Sequence, residues 1–272
     1  MRSIYISNIL SSLFGKLCLI KWPFYLKYLI LSFFKRLFKI NLTDSLQPFT
    51  HFQSVNDMFT RELKPESRQW SSHSMDICSP VDGVLKEIYS NQSRPFSVKH
   101  FYYTIPKLIG TKPIIQANQS VLFNFYLSPK DCHRIFAPCD FNVVKVDYIP
   151  GKLLPVSPLF VKFCPNVFSI NERIVMTVEY KSNQIFYIVL VGALNVGSMT
   201  LTCLPNFITN KDQQISQSFT DFSQTQFKKG DHIGTFNLGS SVLLLFDENH
   251  ISYESMSNPY PVYYGNVFSK FR

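Results

Sequence analysis

Short runs of β-branched and aromatic residues, each bounded by Pro, Gly, Asn or Ser, dominate the chain from Pro80 onward. Residues of these types fit a pleated sheet, and the runs have the length of single strands. The clearest of them cover residues 121–127, 141–148, 174–180, 185–192 and 242–246. No internal repeat relates them. The sequence therefore predicts a body built mainly of β-strands.

Helices are predicted mainly before this strand-rich part. A short helix is expected over residues 55–63 with Ser54 as its N-cap, and one helical turn over 105–110. The polar segments between elements predict loops, which cover residues 41–53, 70–79 and 213–229. The length of 272 residues suits one domain with an appendage, or two small domains. The fold class expected from these patterns is α+β.

The first 43 residues carry basic side chains and no acidic one. The seven cations are Arg2, Lys16, Lys21, Lys27, Lys35, Arg36 and Lys39. The remainder of the chain is nearly balanced, because it holds the other 20 of 27 basic residues and all 18 acidic ones. An excess of charge at one end favours one anionic partner there and argues against a body that binds nucleic acid.

Residues 1–40 are also rich in Leu, Ile, Phe and Tyr. Their longest uncharged run, 3–15, is shorter than the roughly 20 apolar residues that a spanning helix needs. No small-residue cleavage site of a signal peptide follows. We expect residues 1–40 to form a basic amphipathic arm that lies on an anionic membrane, with a β-rich domain over 41–272. A spanning or hairpin insertion and a buried helix pair are the alternatives.

The six cysteines show no C-x-x-C spacing. A chain of this length with 46% hydrophobic residues needs no disulfides to fold, so reduced thiols in a cytosol-facing protein are expected. Cys132 and Cys139 lie near other candidate functional residues, but that neighbourhood supplies too few ligands for a metal site. We expect no metal.

A Gly-Ser turn enters the last strong strand of the chain. It is Leu238-Gly239-Ser240, and such a turn can expose one peptide carbonyl to its own serine hydroxyl, although most Gly-Ser pairs are plain turns. Three further segments accompany it. They are Ser-Pro-Val-Asp-Gly at 79–83, Leu-Ser-Pro-Lys-Asp-Cys-His-Arg at 127–134, and Val-Gly-Ala-Leu-Asn-Val-Gly-Ser at 191–198.

In this order and at these separations the four segments resemble the phosphatidylserine decarboxylase proenzyme family. Residues 58–65, 148–153 and 166–173 are similar to further stretches of that family, so the resemblance covers nearly the whole chain beyond residue 40. It implies an α+β fold in which N-terminal membrane-associated helices lie on a compact β-rich core, like a barrel or a sandwich. It also implies decarboxylation of phosphatidylserine to phosphatidylethanolamine and CO₂.

The resemblance implies self-cleavage between Gly239 and Ser240. The products would be a β chain, 1–239, and an α chain, 240–272, which stay together as a heterodimer. Ser240 would become a pyruvoyl group, an electron sink that makes pyridoxal phosphate unnecessary. Ser240 also needs a base, for which the resemblance offers His133, and an orienting carboxylate, for which it offers Asp82. Without the resemblance, Asp82 is a turn residue and His133 a capping or hydrogen-bonded histidine.

One position departs from the family pattern. The family usually reads His-Arg-x-His, whereas this chain reads His133-Arg134-Ile135-Phe136. The second histidine is the one usually credited with self-cleavage, and phenylalanine cannot accept a proton. Either His133 serves both steps, or another group such as His100 supplies the base, or maturation is slow or absent. If His133 is the base, maturation should slow below about pH 6.

Residues 191–198 would form a pocket wall, with Ser198 and His100 as candidate pocket residues. The expected partners are phosphatidylserine in an anionic membrane and the two chains of the cleaved protein, with a homodimer left open and no nucleic acid. The expected location is the cytoplasmic face of a bacterial cell membrane. Two alternatives remain: a non-cleaving lipid-binding relative, and a serine hydrolase that uses Ser240, His133 and Asp82 but lacks a G-x-S-x-G elbow.

Overall fold

The computed structural model describes residues 6–90, 97–98, 101–102, 105–116, 119–164, 166–181, 183–194, 198–209, 215–222, 225–237, 240–255 and 258–272. Within these ranges the helices are α1 (Ile6–Leu19), α2 (Phe24–Leu37), α3 (Val55–Phe59), α4 (Ile105–Ile109), α5 (Pro158–Val161) and α6 (Val167–Ile170). Helix α3 ends at Phe59, before the predicted end at residue 63, but its predicted N-cap, Ser54, is confirmed. The Ser54 hydroxyl accepts from Asp57 N and the Asp57 carboxylate accepts from Ser54 N, which makes a capping box.

The strands of the first half are β1 (Asp76–Cys78), β2 (Gly83–Ser90), β3 (Ser97–Val98), β4 (Phe101–Tyr102), β5 (Ser120–Leu127), β6 (Arg134–Phe136), β7 (Phe141–Ile149) and β8 (Arg173–Lys181). Those of the second half are β9 (Gln184–Gly192), β10 (Met199–Leu201), β11 (Leu204–Ile208), β12 (Gln217–Phe219), β13 (Gln226–Phe227), β14 (His232–Phe236), β15 (Ser240–Asp247), β16 (Ile251–Tyr253), β17 (Tyr260–Val262) and β18 (Val267–Phe271). The predicted α+β class is confirmed.

The largest sheet has the strand order β12-β7-β8-β9-β15-β5-β2-β17, with β13 also paired to β7. Its strands are antiparallel, and each of the five strong strand predictions matches one of them within two residues at either end. Strand β15 lies in the interior of this sheet, between β9 and β5, and Val242 to Phe246 are fully buried. A central, buried strand therefore carries the Gly-Ser turn at its beginning.

Three smaller sheets are present among the described residues. The first has the order β1-β18-β16, the second β11-β10-β14-β6, and the third pairs β3 with β4. Aromatic rings join the first of them to the large sheet: Phe268 lies 4.8 Å from Phe123 and 5.1 Å from Phe125 between ring centroids. These edge-to-face ring contacts bury aromatic side chains between the two sheets.

Two predicted loops contain strands instead. Residues 76–78 form β1, which pairs with β18, and residues 217–219 and 226–227 form β12 and β13, which pair with β7. These strands have two or three residues each, too few to show an alternating pattern. Their partners lie far away in the sequence, so tertiary pairing rather than local propensity makes them strands.

The arm forms two helices of 14 residues, α1 and α2, each about 21 Å long. Among the described residues, no helix has the length and apolar content to cross a bilayer. Cys18, Leu31 and Ile40 are buried against residues 52–59 in a small core of their own. Most of the large apolar side chains of α1 and α2 are exposed all the same, namely Ile9, Leu10, Leu13, Leu17, Leu19, Phe24, Tyr25, Leu26, Leu29, Phe33 and Leu37. Burial of the helix pair is therefore only partial.

Candidate active site

Ser240 is the first residue of β15, opposite Leu127 of β5 on one side and Gly192 of β9 on the other. It is 1% exposed, and within the described part of the chain its hydroxyl has no hydrogen-bond partner. Ser241 is equally buried, and its hydroxyl is likewise without a partner there. Gly239, predicted to supply the other side of the cleaved bond, lies outside the described residues.

The residues just before this turn are held on two sides. The chain leaves β14 at Phe236, whose N–H donates to the carbonyl of His133 at 3.0 Å. The next residue, Asn237, donates from its backbone N–H to Ser198 O at 2.9 Å and from its side-chain amide to Ser198 Oγ at 2.7 Å. The structure thus brings two of the predicted site residues, His133 and Ser198, to the segment that leads into Ser240.

A tight turn positions His133. Asp131 closes the turn, because its carboxylate accepts from both the N–H and the hydroxyl of Ser128 at 2.8 and 2.7 Å. The His133 N–H donates to Phe59 O, and the imidazole packs edge-on against the Phe59 ring. Helix α3 and the turn at 128–131 therefore fix the imidazole from two directions.

The hydrogen bonds of His133 define its tautomer. Nδ1 lies 2.9 Å from the carbonyl oxygen of Asp131. Because a carbonyl can only accept, Nδ1 carries the proton and Nε2 is left with a free lone pair. Nε2 is buried and has no partner among the described residues. A buried lone pair without a donor is what a general base requires before its substrate proton arrives.

Burial also keeps this imidazole neutral. The pKa of His133 falls to about 4, first because burial disfavours the imidazolium, while the hydrogen bond to Asp131 acts in the opposite direction and the Arg61 charge lowers it slightly further. Arg61 is itself buried, and it donates to the carbonyls of Met58 and Lys130 at 3.1 Å each. At neutral pH, His133 is therefore uncharged.

Asp82 has partners other than an imidazole. Its two carboxylate oxygens accept from Arg68 Nε at 3.0 Å and Nη2 at 2.6 Å, and Oδ1 also accepts from the backbone N–H of Tyr264 at 3.0 Å. The carbonyl of Asp131, rather than a carboxylate, holds Nδ1 of His133. The role of Asp82 as the residue that orients the base thus stays a prediction.

Phe136, at the position of the family's second histidine, belongs to an aromatic cluster. Its ring centroid lies 4.3 Å from that of Tyr264, 6.0 Å from Trp70 and 5.7 Å from His232. His232 faces it across the β6–β14 pair. The cluster places the Phe136 ring against the ring of Tyr264, the residue whose backbone N–H binds Asp82.

Sequence reasoning missed Arg68 and Tyr264, which bind Asp82. Arg68 follows a short polar stretch and shows no motif, and Tyr264 contributes a backbone N–H that any residue except proline could offer. It also missed Asn171, although this residue lies in a family-like stretch. The buried Asn171 side chain bonds to the N–H and carbonyl of Leu154 and to the carbonyl of Gly192. Asn171 therefore holds the strand end that lies beside Ser240.

Gly192 forms part of the predicted pocket wall. A Cβ at this position would lie 2.9 Å from Leu153 Cδ2 and 3.3 Å from the carbonyl oxygen of Glu172. A side chain here would thus force the wall next to Ser240 to move. The predicted pocket residue His100 lies outside the described residues, as do residues 195–197 of the wall segment. Across the described ranges no group of three metal-ligating side chains occurs.

These contacts define a class of protein. A buried serine begins the central strand, and the backbone of a histidine with a buried, neutral imidazole binds the segment that leads into it, an arrangement suited to covalent chemistry at the serine. The model of the phosphatidylserine decarboxylase family matches residues 55–269. The chain belongs to this family.

Proteins named phosphatidylserine decarboxylase proenzyme are similar along most of their length. The Helicobacter pylori protein is 35% identical over 242 residues, which cover 88% of this chain and 89% of that protein. A Coxiella burnetii protein is 33% identical over 255 residues, with 92% and 89% covered. The Idiomarina loihiensis protein is 31% identical over 266 residues, with 94% and 89% covered.

Proposed function

We propose that this chain decarboxylates phosphatidylserine at a membrane surface after it has cleaved itself between Gly239 and Ser240. The family membership and the names of the relatives support the reaction. The observation that supports the cleavage is the buried Ser240 hydroxyl at the start of the central strand, which has no partner among the described residues. The backbone carbonyl of His133, whose Nε2 is also buried and without a described partner, accepts from Phe236 N in the segment that precedes Ser240.

In the first step of this proposal, Ser240 Oγ attacks the carbonyl carbon of Gly239. An ester bond forms, the peptide C–N bond breaks, the hydroxyl proton passes to a base, and a proton is delivered to the freed nitrogen. His133 Nε2 is the proposed base because it is unprotonated, buried and free to accept. Departure of the Gly239 carboxylate by β-elimination then leaves a dehydroalanine at residue 240.

Hydrolysis of that residue by water releases ammonia and gives a pyruvoyl group at the new N-terminus of the 240–272 chain. The setting fits such a small planar group: its carbon atoms are those of Ser240, between the backbones of Leu127 and Gly192. A pyruvoyl group at residue 240 would supply the electron sink that decarboxylation of an amino acid needs. No separate cofactor enters this proposal.

The chain's own residues have separate tasks in the proposed reaction. His133 handles the proton, Ser198 and Asn237 hold the segment before Ser240, and Asn171 and Gly192 shape the wall. Asp82 acts through Arg68 and Tyr264: it joins the part of the chain before the cleaved bond to the part after it. In the cleaved protein this contact would help to keep the α and β chains together.

The exposed apolar side chains and the cations of α1 and α2 support the membrane location. A lipid substrate must be reached in a bilayer, and a basic helix with exposed Leu, Phe and Tyr side chains lies in the interface of an anionic membrane. The bacterial relatives favour a bacterial cell membrane, and the cytoplasmic face is proposed from the free thiols of all six cysteines.

The mass of the purified protein tests the proposed function. A 33-residue chain of roughly 3.8 kDa should separate from a 239-residue chain, since the full chain averages about 116 Da per residue. The small chain should resist sequencing from its amino end, because a pyruvoyl group has no amine. Ser240→Ala should leave one uncut chain, whereas Ser241→Ala, at an equally buried and unpartnered serine, should still be cut.

The second candidate function is a lipid-binding relative that does not cleave itself. Phe136 favours it, because an aromatic ring packs where the family pattern has a proton acceptor. If the wild-type protein stays at full mass after long incubation, while Phe136→His alone gives the cut, this second function replaces the first.

A further inference from the structure

Two segments of the β-rich domain share the chemistry of the arm, although they are far from it in sequence. Residues 105–116 and 151–170 carry Lys107, Lys112, Lys152 and Lys162 and no acidic residue. Together with the seven cations of the arm, they hold eleven of the 27 basic residues and none of the 18 acidic ones. We call the described residues of these two segments the loop face.

The loop face exposes large apolar side chains beside its lysines. Phe163 is 78% exposed and Leu159 67%, both at the short helix α5, and Ile114 is 66% exposed after α4. Lys107, Lys112 and Lys162 are exposed as well. Exposed aromatic and aliphatic side chains that alternate with lysines, in the absence of carboxylates, are unusual for a surface that meets only water.

The two segments form one continuous surface. Arg173, which is buried, donates from Nε to the carbonyl of Leu108 at 2.6 Å and from its Nη atoms to the carbonyls of Lys107 and Ser169 at 2.7 and 3.0 Å. One guanidinium therefore ties α4 to α6. Helices α4 and α6 also contact each other directly.

Hydrogen bonds join the loop face to the arm. Asn8 of α1 donates from its side-chain amide to Gly151 O at 2.8 Å, and Leu153 N donates to the Ser7 hydroxyl at 3.4 Å. The loop face also reaches the candidate active site: Leu153 lies against Gly192, and Leu154 is bound to Asn171. It is thus the part of the domain that connects the arm to the wall beside Ser240.

We infer that the loop face inserts into an anionic lipid bilayer as a second anchor, next to the arm. Phe163 and Leu159 would enter the acyl boundary, and the lysines would meet the lipid phosphates. Charge favours lipid over a second copy of this chain, because a copy would bring the same exposed cations, Lys107, Lys112 and Lys162. The inference rests on the proposed function only for its assumption that the substrate lies in a bilayer.

Vesicle binding by the full-length protein tests this inference. Partition onto phosphatidylglycerol–phosphatidylcholine vesicles is compared for the wild type, Leu159→Ser/Phe163→Ser and Lys107→Gln/Lys112→Gln/Lys162→Gln. The apolar double variant should bind at least about tenfold more weakly, because two large side chains no longer leave water. The lysine variant should lose affinity for the anionic vesicles and little for pure phosphatidylcholine.

Two control variants carry the same kinds of change elsewhere. Val144→Ser alters an exposed apolar residue of β7, and Lys228→Gln alters an exposed lysine whose charge Asp140 balances; both should bind like the wild type. A fluorescence measurement adds a second control. Bromine-labelled acyl chains should quench the tryptophan fluorescence of Phe163→Trp more than that of the wild type, which contains Trp22 and Trp70. The fluorescence of Val144→Trp should show no added quenching.

Equal binding of the wild type and the apolar variant, with no added quenching at Phe163→Trp, would overturn the second anchor. Intact mass of the same samples separates this result from the proposed function. If the wild type is cleaved and the apolar variant binds vesicles as well as the wild type does, only the loop-face inference is wrong. If the wild type is not cleaved but the apolar variant binds more weakly, only the proposed decarboxylase mechanism is wrong. Because Leu159 and Phe163 are exposed, the variants should fold, and unfolding in urea checks this.

Discussion

Arg68 and Asp82 form a buried two-point ion pair, with Nε to Oδ1 at 3.0 Å and Nη2 to Oδ2 at 2.6 Å. Their side chains are only 10% and 6% exposed. The Arg68 guanidinium also lies over the Tyr263 ring, 4.5 Å from its centroid, and Tyr264 N donates to Asp82. The pair therefore joins residues that stand before and after the proposed cleavage site.

Removal of either Arg68 or Asp82 should lower the unfolding free energy substantially. Arg68→Met leaves the carboxylate of Asp82 buried with one backbone donor, and a broken buried pair typically loses about 3–5 kcal/mol of unfolding free energy. Lys228→Met, at an exposed pair with Asp140, should lose less than about 1 kcal/mol. Urea unfolding of the uncut Ser240→Ala background measures both.

The Asp82→Asn variant should show whether Asp82 has a structural or a positioning role in maturation. If Asp82 only braces Tyr264 and Arg68, folded Asp82→Asn protein should still be cut, because the amide keeps an acceptor for Tyr264 N. If Asp82 orients the base, the cut should slow by about 10²-fold or more while the fold persists. Time courses of intact mass, read beside circular dichroism, distinguish these outcomes.

Maturation should tolerate mild acid. A histidine with an ordinary pKa would lose its lone pair near pH 6.5, but burial lowers the pKa of His133 to about 4. Burial thus moves the onset expected from the sequence, about pH 6, to lower pH: the cut should keep its rate down to about pH 5 and fall near pH 4. The charge that acts on the imidazole is that of Arg61, and Asp131 contacts the imidazole through its backbone carbonyl. A rate that already drops at pH 6 would contradict His133 as the base.

The buried neutral imidazole should also make stability depend on pH. Between pH 6.5 and 4 the unfolded chain binds a proton at residue 133 and the folded chain does not. Unfolding free energy should thus fall by roughly 3 kcal/mol as the pH drops through this window. His133→Gln should flatten this slope, whereas His51→Gln, at an exposed histidine, should leave it unchanged.

Exchanges at residues 133 and 136 should locate the base. We expect His133→Ala to stop maturation, with a loss of about 10²–10⁴-fold, and Phe136→His to speed it or leave it unchanged. His100→Ala should have no effect. A normal cut in His133→Ala together with a lost cut in His100→Ala would move the base to His100.

Asn171 should matter more than another buried asparagine. Asn171→Ala removes three hydrogen bonds and leaves the carbonyl of Gly192 with one acceptor site unfilled beside Ser240. The expected cost is about 2–4 kcal/mol. Asn124→Ala is the control. Asn124 is buried on β5, the strand next to β15, but its Oδ1 has no partner among the described residues. Asn124→Ala should therefore lose less unfolding free energy than Asn171→Ala.

The cations of the arm should control salt-sensitive binding. Lys16, Lys21, Lys35 and Lys39, changed to Gln together, should weaken binding to anionic vesicles and remove most of its dependence on salt, because screened attraction supplies that part. Leu10→Ser/Leu13→Ser should weaken the part that survives at high salt. Co-sedimentation at about 50 and about 500 mM salt spans the range in which the screening length falls below about 10 Å.

The amino-acid sequence by itself determined the strong strands, the cap of α3, the basic apolar arm and the segments around Ser240, His133 and Asp82. Each of these is a local pattern: β-branched runs, a Ser and an Asp three residues apart, or a short motif. Local patterns record what neighbouring residues along the chain can do, so they can be read without a structure.

Only the tertiary structure decided which partners these residues have. Arg68 rather than His133 binds the carboxylate of Asp82, a carbonyl sets the tautomer of His133, and burial lowers the pKa of its imidazole. The short strands β1, β12 and β13 exist because distant strands pair with them. Hydrogen bonds and desolvation depend on groups brought together from remote parts of the chain, and no local pattern encodes that proximity.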